Sequence, residues 1–283
     1  MGLLSGLGGL GLSGLENMDV FDEEEKEGKK SPEKNTVVSS GISEKDLIFD
    51  KKYDCPVCGS QFVAKIMKTG KAKALHSDKD LRPRYEGIDA LKYDVLSCNV
   101  CGYSALVSYF PKILASQVSL IKEKVSMTVS IPEYHDEIYG YEQALERYKL
   151  ALACAVVKRA KVSEKAYICL KSGWLVRGWL ESIADEGDAF EVLRKQLTKQ
   201  ENEYLLNAYK GFLEARKTEN FPICGMDQNT LDYLLAVLSC RFENYDAAAR
   251  LVTGILTSTT VNNRIKDKAR DLKDEILEVV RKK

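Results

Sequence analysis

The sequence predicts a mainly α-helical chain that also carries a small β segment, α+β overall, and three observations lead there. Two matched Cys-x-x-Cys-Gly stretches, at residues 55–59 and 98–102, adjoin short runs rich in β-branched and aromatic residues. From Pro111 onward the apolar residues recur every three or four positions, the period of a helix. The first fifty residues fit neither pattern.

In Cys55-Pro56-Val57-Cys58-Gly59 and Cys98-Asn99-Val100-Cys101-Gly102, thiolates three positions apart can chelate one tetrahedral ion if the chain between them turns tightly. A following glycine relieves crowding in such a turn. Two such knuckles supply Cys55, Cys58, Cys98 and Cys101, a closed shell that favours one structural Zn²⁺, although iron can occupy the same cage. The 39 residues between the knuckles are expected to hold two strands paired with each other, Phe62 to Ile66 and Leu91 to Leu96, with a long loop from Asp78 to Ile88. This is the layout of a zinc ribbon. His76 lies between the knuckles and is expected to stay outside the ligand set.

The chain of 283 residues is 45% apolar and 30% charged, which excludes global disorder. Lys plus Arg and Asp plus Glu number 42 each, which argues against a protein built throughout as a polyanion binder. The longest uncharged apolar run beyond the N-terminal segment, Leu150 to Val157, falls far short of the about 20 residues of a bilayer span. The zero sum conceals three segments: residues 1–50 carry 5 basic and 11 acidic side chains, 51–110 carry 10 and 6, and 111–283 carry 27 and 25. The expected division is a Gly/Leu-rich and acidic disordered tail at 1–46, a zinc-ribbon-like domain at 47–110 and a helical domain at 111–283. Met1 to Leu15 contains six Gly, six Leu and no charged side chain, and reads as a disordered tail or a weak apolar anchor. Its lack of a secretory pattern, with thiols kept reduced, points to a cytoplasmic protein.

Tyr53-Asp54-Cys55-Pro56-Val57-Cys58, Asp80-Leu81-Arg82-Pro83-Arg84-Tyr85-Glu86-Gly87 and Cys98-Asn99-Val100-Cys101-Gly102-Tyr103, together with Ala144-Leu145-Glu146-Arg147-Tyr148, resemble a bacterial family catalogued as domain of unknown function 2225. The resemblance covers about residues 45–283 and departs at Asn99, where members often have Pro. It implies a zinc-ribbon-like segment followed by tetratricopeptide-like helices, and no activity.

Seven or so helices follow. The stripe Tyr141, Ala144, Leu145, Tyr148, Ala151, Leu152 and Ala155 marks one, and Leu231 to Leu238, Ala248 to Ile255 and Ile265 to Val279 mark three more. Ala144-x3-Tyr148-x2-Ala151 and Ala248-x3-Val252-x2-Ile255 fit the small-large-small spacing of a tetratricopeptide-like helical hairpin array, with Asn244-Tyr245-Asp246 at a hairpin turn. Between residues 147 and 177 eight basic side chains face one acid, Glu164. Arg147, Lys158, Arg159, Lys161, Lys165, Lys171 and Arg177 are therefore candidates for a cradle that holds an acidic partner; a solvated face paired with acids near Glu181 is the other reading.

The function expected is a non-enzymatic, zinc-stabilised scaffold that binds a protein or peptide through its helices. The alternatives are nucleic-acid binding through the ribbon, with Arg82, Arg84 and Tyr85 best placed for it, and an enzyme of unrecognised type. The ribbon's formal +4 falls to about +2 once four thiolates and one Zn²⁺ are included, a thin supply for phosphate contacts. The two histidines, His76 and His135, form no triad with a nucleophilic serine.

Overall fold

Each Cys-x-x-Cys-Gly stretch folds as the turn of an antiparallel hairpin, because the glycine behind it takes a left-handed φ and lets the chain reverse around two sulfurs. The computed structural model describes residues 2–16, 18, 43–129, 131, 136–184 and 187–282. In it β1 (Ile48–Asp54) pairs with β2 (Gln61–Met67) around the first knuckle. The second knuckle joins β3 (Val95–Ser97) to β4 (Ser104–Leu106).

This corrects the expected strand pairing. Phe62 to Ile66 pairs with the chain before the first knuckle, not with Leu91 to Leu96. The latter stretch is divided between a 3-10 turn (Ala90–Tyr93) and β3. Asp89 sets the division by accepting a hydrogen bond from the Leu91 amide at 3.1 Å. Local hairpins also close far shorter loops than a pairing across the gap between knuckles.

Seven α-helices follow among the described residues, in keeping with the apolar period: α1 (Ala115–Ile121, continued by a wider π turn, Lys122–Ser126), α2 (Tyr141–Val157), α3 (Val162–Ser182), α4 (Glu191–Thr218), α5 (Gln228–Arg241), α6 (Tyr245–Thr257) and α7 (Asn263–Lys282). From α2 to α6 each helix packs on the next, and α7 packs on both α5 and α6. Asn244 caps α6 by accepting from the Ala247 amide at 3.2 Å, and Asp227 caps α5 by accepting from Thr230 at 2.7 Å. Ala144, Tyr148 and Ala151 are buried, as are Ala248, Val252 and Ile255. No helix among the described residues is long and apolar enough to cross a membrane.

One continuous core runs from Cys55, Phe62, Leu96 and Tyr103 in the hairpins through α2, α3 and α4 into α5. Tyr233, Val252, Ile265, Leu272 and neighbours form a second cluster where α5, α6 and α7 meet. A change in charge near residue 110 therefore does not mark a break in packing.

The Gly/Leu-rich start was expected to be a disordered tail or a weak apolar anchor. Leu3, Leu4, Leu7, Leu10, Leu12 and Leu15 are all buried in the main core. The segment makes two short 3-10 turns, Leu7–Leu10 and Ser13–Leu15. Burying six leucines stabilises by about 12 kcal/mol, which nearly offsets the about 15 kcal/mol needed to order fifteen backbones. Composition saw the glycines and missed the burial. Most of the acidic stretch from Glu16 to Ser40, and His135, lie outside the described residues.

Candidate metal centre

The two knuckles are near copies of each other. Gly59 N donates to Cys55 O and Gly102 N donates to Cys98 O, each at 2.9 Å. Cys55 N donates to Ser60 O and Cys98 N to Tyr103 O, again at 2.9 Å. Gly59 and Gly102 have φ of 76° and 75°. These turns aim the amides of Val57 and Cys58 at the Cys55 sulfur, and those of Val100 and Cys101 at the Cys98 sulfur.

The four sulfurs converge. Cys55 Sγ lies 3.5 Å from Cys101 Sγ, Cys58 Sγ lies 3.7 Å from Cys98 Sγ, and all four lie within 4.8 Å of one another. A tetrahedral ion with Zn–S bonds of about 2.3 Å needs sulfurs about 3.8 Å apart, so the cage could hold a metal ion. Cys55, Cys98 and Cys101 are buried and Cys58 is the most open of the four. His76 is exposed and outside the cluster.

Four thiolates cannot share so small a volume without a cation. Hydrogen bonds from Cys101 and Cys55 hold the Cys98 thiol well below its ordinary value. Hydrogen bonds with Cys55 and Cys98, added to burial, push Cys101 well above its own. A divalent ion held by Cys55, Cys58, Cys98 and Cys101 would replace this internal sharing of protons and allow all four sulfurs to ionise.

The second hairpin sits on α2. Ser104 N donates to Cys154 Sγ at 3.4 Å, and the Cys154 thiol faces Gly102 O at 3.8 Å. Cys154 is the core residue that was expected, and it also seats the metal knuckle on the helices.

The excursion from Asp78 to Gly87 packs against α3 through a seam of charges. Arg177 donates to both carboxylate oxygens of Asp80, at 3.1 and 2.7 Å, and to Glu201 at 2.9 Å. Trp174 Nε1 donates to Asp80 at 2.9 Å. Arg82 and Arg84 reach Glu181 at 3.1 and 2.7 Å, and Arg84 also reaches Asp78 at 2.5 Å. Burial alone would raise the Asp80 carboxyl, yet the charge and hydrogen bonds of Arg177 hold it below its ordinary value. Burial outweighs Arg82 at Asp89, whose carboxyl is raised.

The seven basic residues expected to form a cradle have unlike surroundings. Of the seven, only Arg159 and Lys161, at the turn between α2 and α3, are exposed. Lys158 is buried and pairs with Glu164 at 2.6 Å, Lys171 pairs with Asp94, and Arg177 lies in the seam. Arg147 lies over the Tyr139 ring, 3.6 Å from its centroid, and Lys165 is half-buried. Asp94, Asp78, Asp80 and Glu201, acids from outside the run, pair with it, whereas Glu181 pairs with Arg82 and Arg84. Arg82 and Arg84, best placed in the ribbon for phosphate contacts, pair with Glu181 and Asp78.

Sequence reasoning missed Asp78, Asp80 and Glu201 as partners of Arg177. A signal existed: charged residues stand at every second position, Asp78, Asp80, Arg82, Arg84 and Glu86, while Trp174, Arg177 and Glu181 share one helical face.

No curated protein and no solved structure shows significant similarity to the chain. The family described as an uncharacterized protein conserved in bacteria (DUF2225) matches residues 48–276. That span holds both hairpins, the sulfur cage, the charged seam and all helices but the end of α7. The chain thus belongs to the bacterial DUF2225 family.

Proposed function

We propose that this protein is a non-enzymatic scaffold, stabilised by one structural Zn²⁺, that binds a protein or peptide partner through its helical domain. The observation that carries the reading is the sulfur cage: four sulfurs from two matching knuckles leave no coordination position for a substrate. Sulfur-only ligation favours zinc. The helices stack in sequence order with buried small residues at the spacing of tetratricopeptide-like hairpins, an arrangement suited to holding extended segments. All eight cysteines are unpaired, which suits a reducing, cytoplasmic compartment. Arg159 and Lys161 remain the basic pair best exposed to an acidic partner.

Nucleic-acid binding through the ribbon is the weaker reading, since its two best guanidiniums are engaged by Glu181 and Asp78. Affinity capture from bacterial cells tests the scaffold reading. The full chain should retain a protein partner that the Arg159→Glu, Lys161→Glu double variant retains several-fold less. Equal capture by both would remove this pair from the interface, and tight RNA or DNA binding at about 150 mM salt would favour the alternative.

A further inference from the structure

Residues 2–16 lie on α2 and α4 in the manner of a bound peptide. Their backbone joins no sheet; hydrogen bonds within the segment close its turns, and side chains of the two helices reach its carbonyls. Tyr204 on α4 donates its hydroxyl to Leu3 O at 3.1 Å, and Lys149 on α2 donates to Ser5 O at 2.7 Å. Both contacts take main-chain carbonyls, which any peptide offers. Six leucines fill the apolar part of the trough. Glu16 closes the segment on itself by accepting from the amides of Gly6 and Gly8, each at 2.9 Å. The family match begins at residue 48, so Lys149 and Tyr204 belong to the matched region and their occupant does not.

We propose that this trough on α2 and α4 is the peptide-binding surface of the helical domain. Residues 2–16 occupy it in cis, and a partner protein binds by inserting a leucine-rich segment with an acidic residue that closes its turn. The proposal rests on the scaffold reading above and supplies its partner chemistry. Tethering gives the cis occupant an effective concentration of about millimolar. A free segment with an intrinsic dissociation constant of about 10 µM then binds the closed chain about 100-fold more weakly than the opened one.

The test uses the full chain and a fluorescein-labelled synthetic peptide of residues 2–18. A Leu4→Asp, Leu7→Asp double variant should release the segment and bind this peptide at least about 10-fold more tightly than the wild type. Adding Lys149→Ala should weaken that binding again. A double variant that keeps its helical circular dichroism but binds no better than wild type overturns the proposal and makes the segment a fixed part of the core. If the double variant does not fold, amide exchange of the wild type decides: residues 2–16 exchanging well ahead of α2 and α4 support displacement, and exchange together with them overturns it. Concentration-dependent dimers of the wild type, abolished by the double variant, would assign the trough to a second copy and also overturn it. Capture by Arg159 and Lys161 is a separate readout, so failure of the peptide titration leaves the scaffold reading standing or falling on its own.

Discussion

Arg177 on α3 grips Asp80 with two hydrogen bonds, at 3.1 and 2.7 Å, and so fastens the excursion between the two hairpins to the helices. Asp80 is 5% exposed and also accepts from Trp174. Removing one member of a buried pair leaves the other charge uncompensated. Asp80→Asn is expected to lower stability by about 3 kcal/mol, read as a reduced urea midpoint at neutral pH. A change under about 0.5 kcal/mol would mean that Asp78 and Glu201 take over the guanidinium.

Acid titration separates Asp80 from its neighbour Asp89. The folded Asp80 carboxyl lies below its unfolded value of 3.8, so its stabilisation is present above that value. It is lost as pH falls through the folded value. The Asp89 carboxyl is raised above 3.8, so the neutral form is favoured in the folded chain and stability from this group declines as pH rises. Urea midpoints measured between about pH 3 and 6 should show a flatter acid limb in Asp80→Asn and a steeper one in Asp89→Asn. Parallel limbs in all three proteins would count against both assignments.

The sulfur cage was legible because a Cys-x-x-Cys-Gly turn is local chemistry, and the helices were legible because their period is local too. Strand pairing was not: alternation in Phe62 to Ile66 tells which face is buried, not which strand lies alongside. The partners of the basic run were not legible for a similar reason. The partners of Arg177 in the excursion, Asp78 and Asp80, are 99 and 97 residues away in sequence. At the glycine-rich start, propensity describes an isolated segment and carries no information on the core cluster that Leu4 and Leu7 share with other elements.

Metal content tests the cage directly. The purified protein is expected to hold one zinc per chain, and Cys101→Ser should lose it. Because Ser104 N rests on Cys154 and the core is continuous from the hairpins to α5, the loss should lower the melting temperature of the whole chain. Calorimetry checks this. A helical transition unmoved by metal removal would show that the hairpins melt alone.

The two knuckle glycines share a φ but not a surrounding. A Cβ at Gly59 would meet nothing within 4 Å, whereas one at Gly102 would come 2.3 Å from Val129 Cγ1. Gly59→Ala therefore isolates the left-handed backbone penalty, about 1 kcal/mol. Gly102→Ala adds a steric clash and should cost about 3 kcal/mol, with a matching loss of zinc affinity. Chelator competition and thermal melts read both. Equal effects would show that Val129 moves aside freely.

Two glycines inside helices predict changes of opposite sign. Gly254, in α6, is exposed and a Cβ there would touch nothing within 4 Å. An alanine narrows the unfolded ensemble without a new contact, so Gly254→Ala should stabilise by about 1 kcal/mol. Gly173, in α3, lets α4 approach closely: a Cβ would lie 2.8 Å from Leu205 Cδ2 and 2.9 Å from Leu205 Cγ. Leu205 is fully buried. Gly173→Ala should therefore push α3 and α4 apart and destabilise by about 1–3 kcal/mol despite its better helix propensity. Thermal melts at fixed pH and metal load should place the two variants on either side of the wild type, each kcal/mol shifting the midpoint by about 2–4 °C. If Gly173→Ala melts at or above the wild type, the close contact between α3 and α4 is not what that glycine secures.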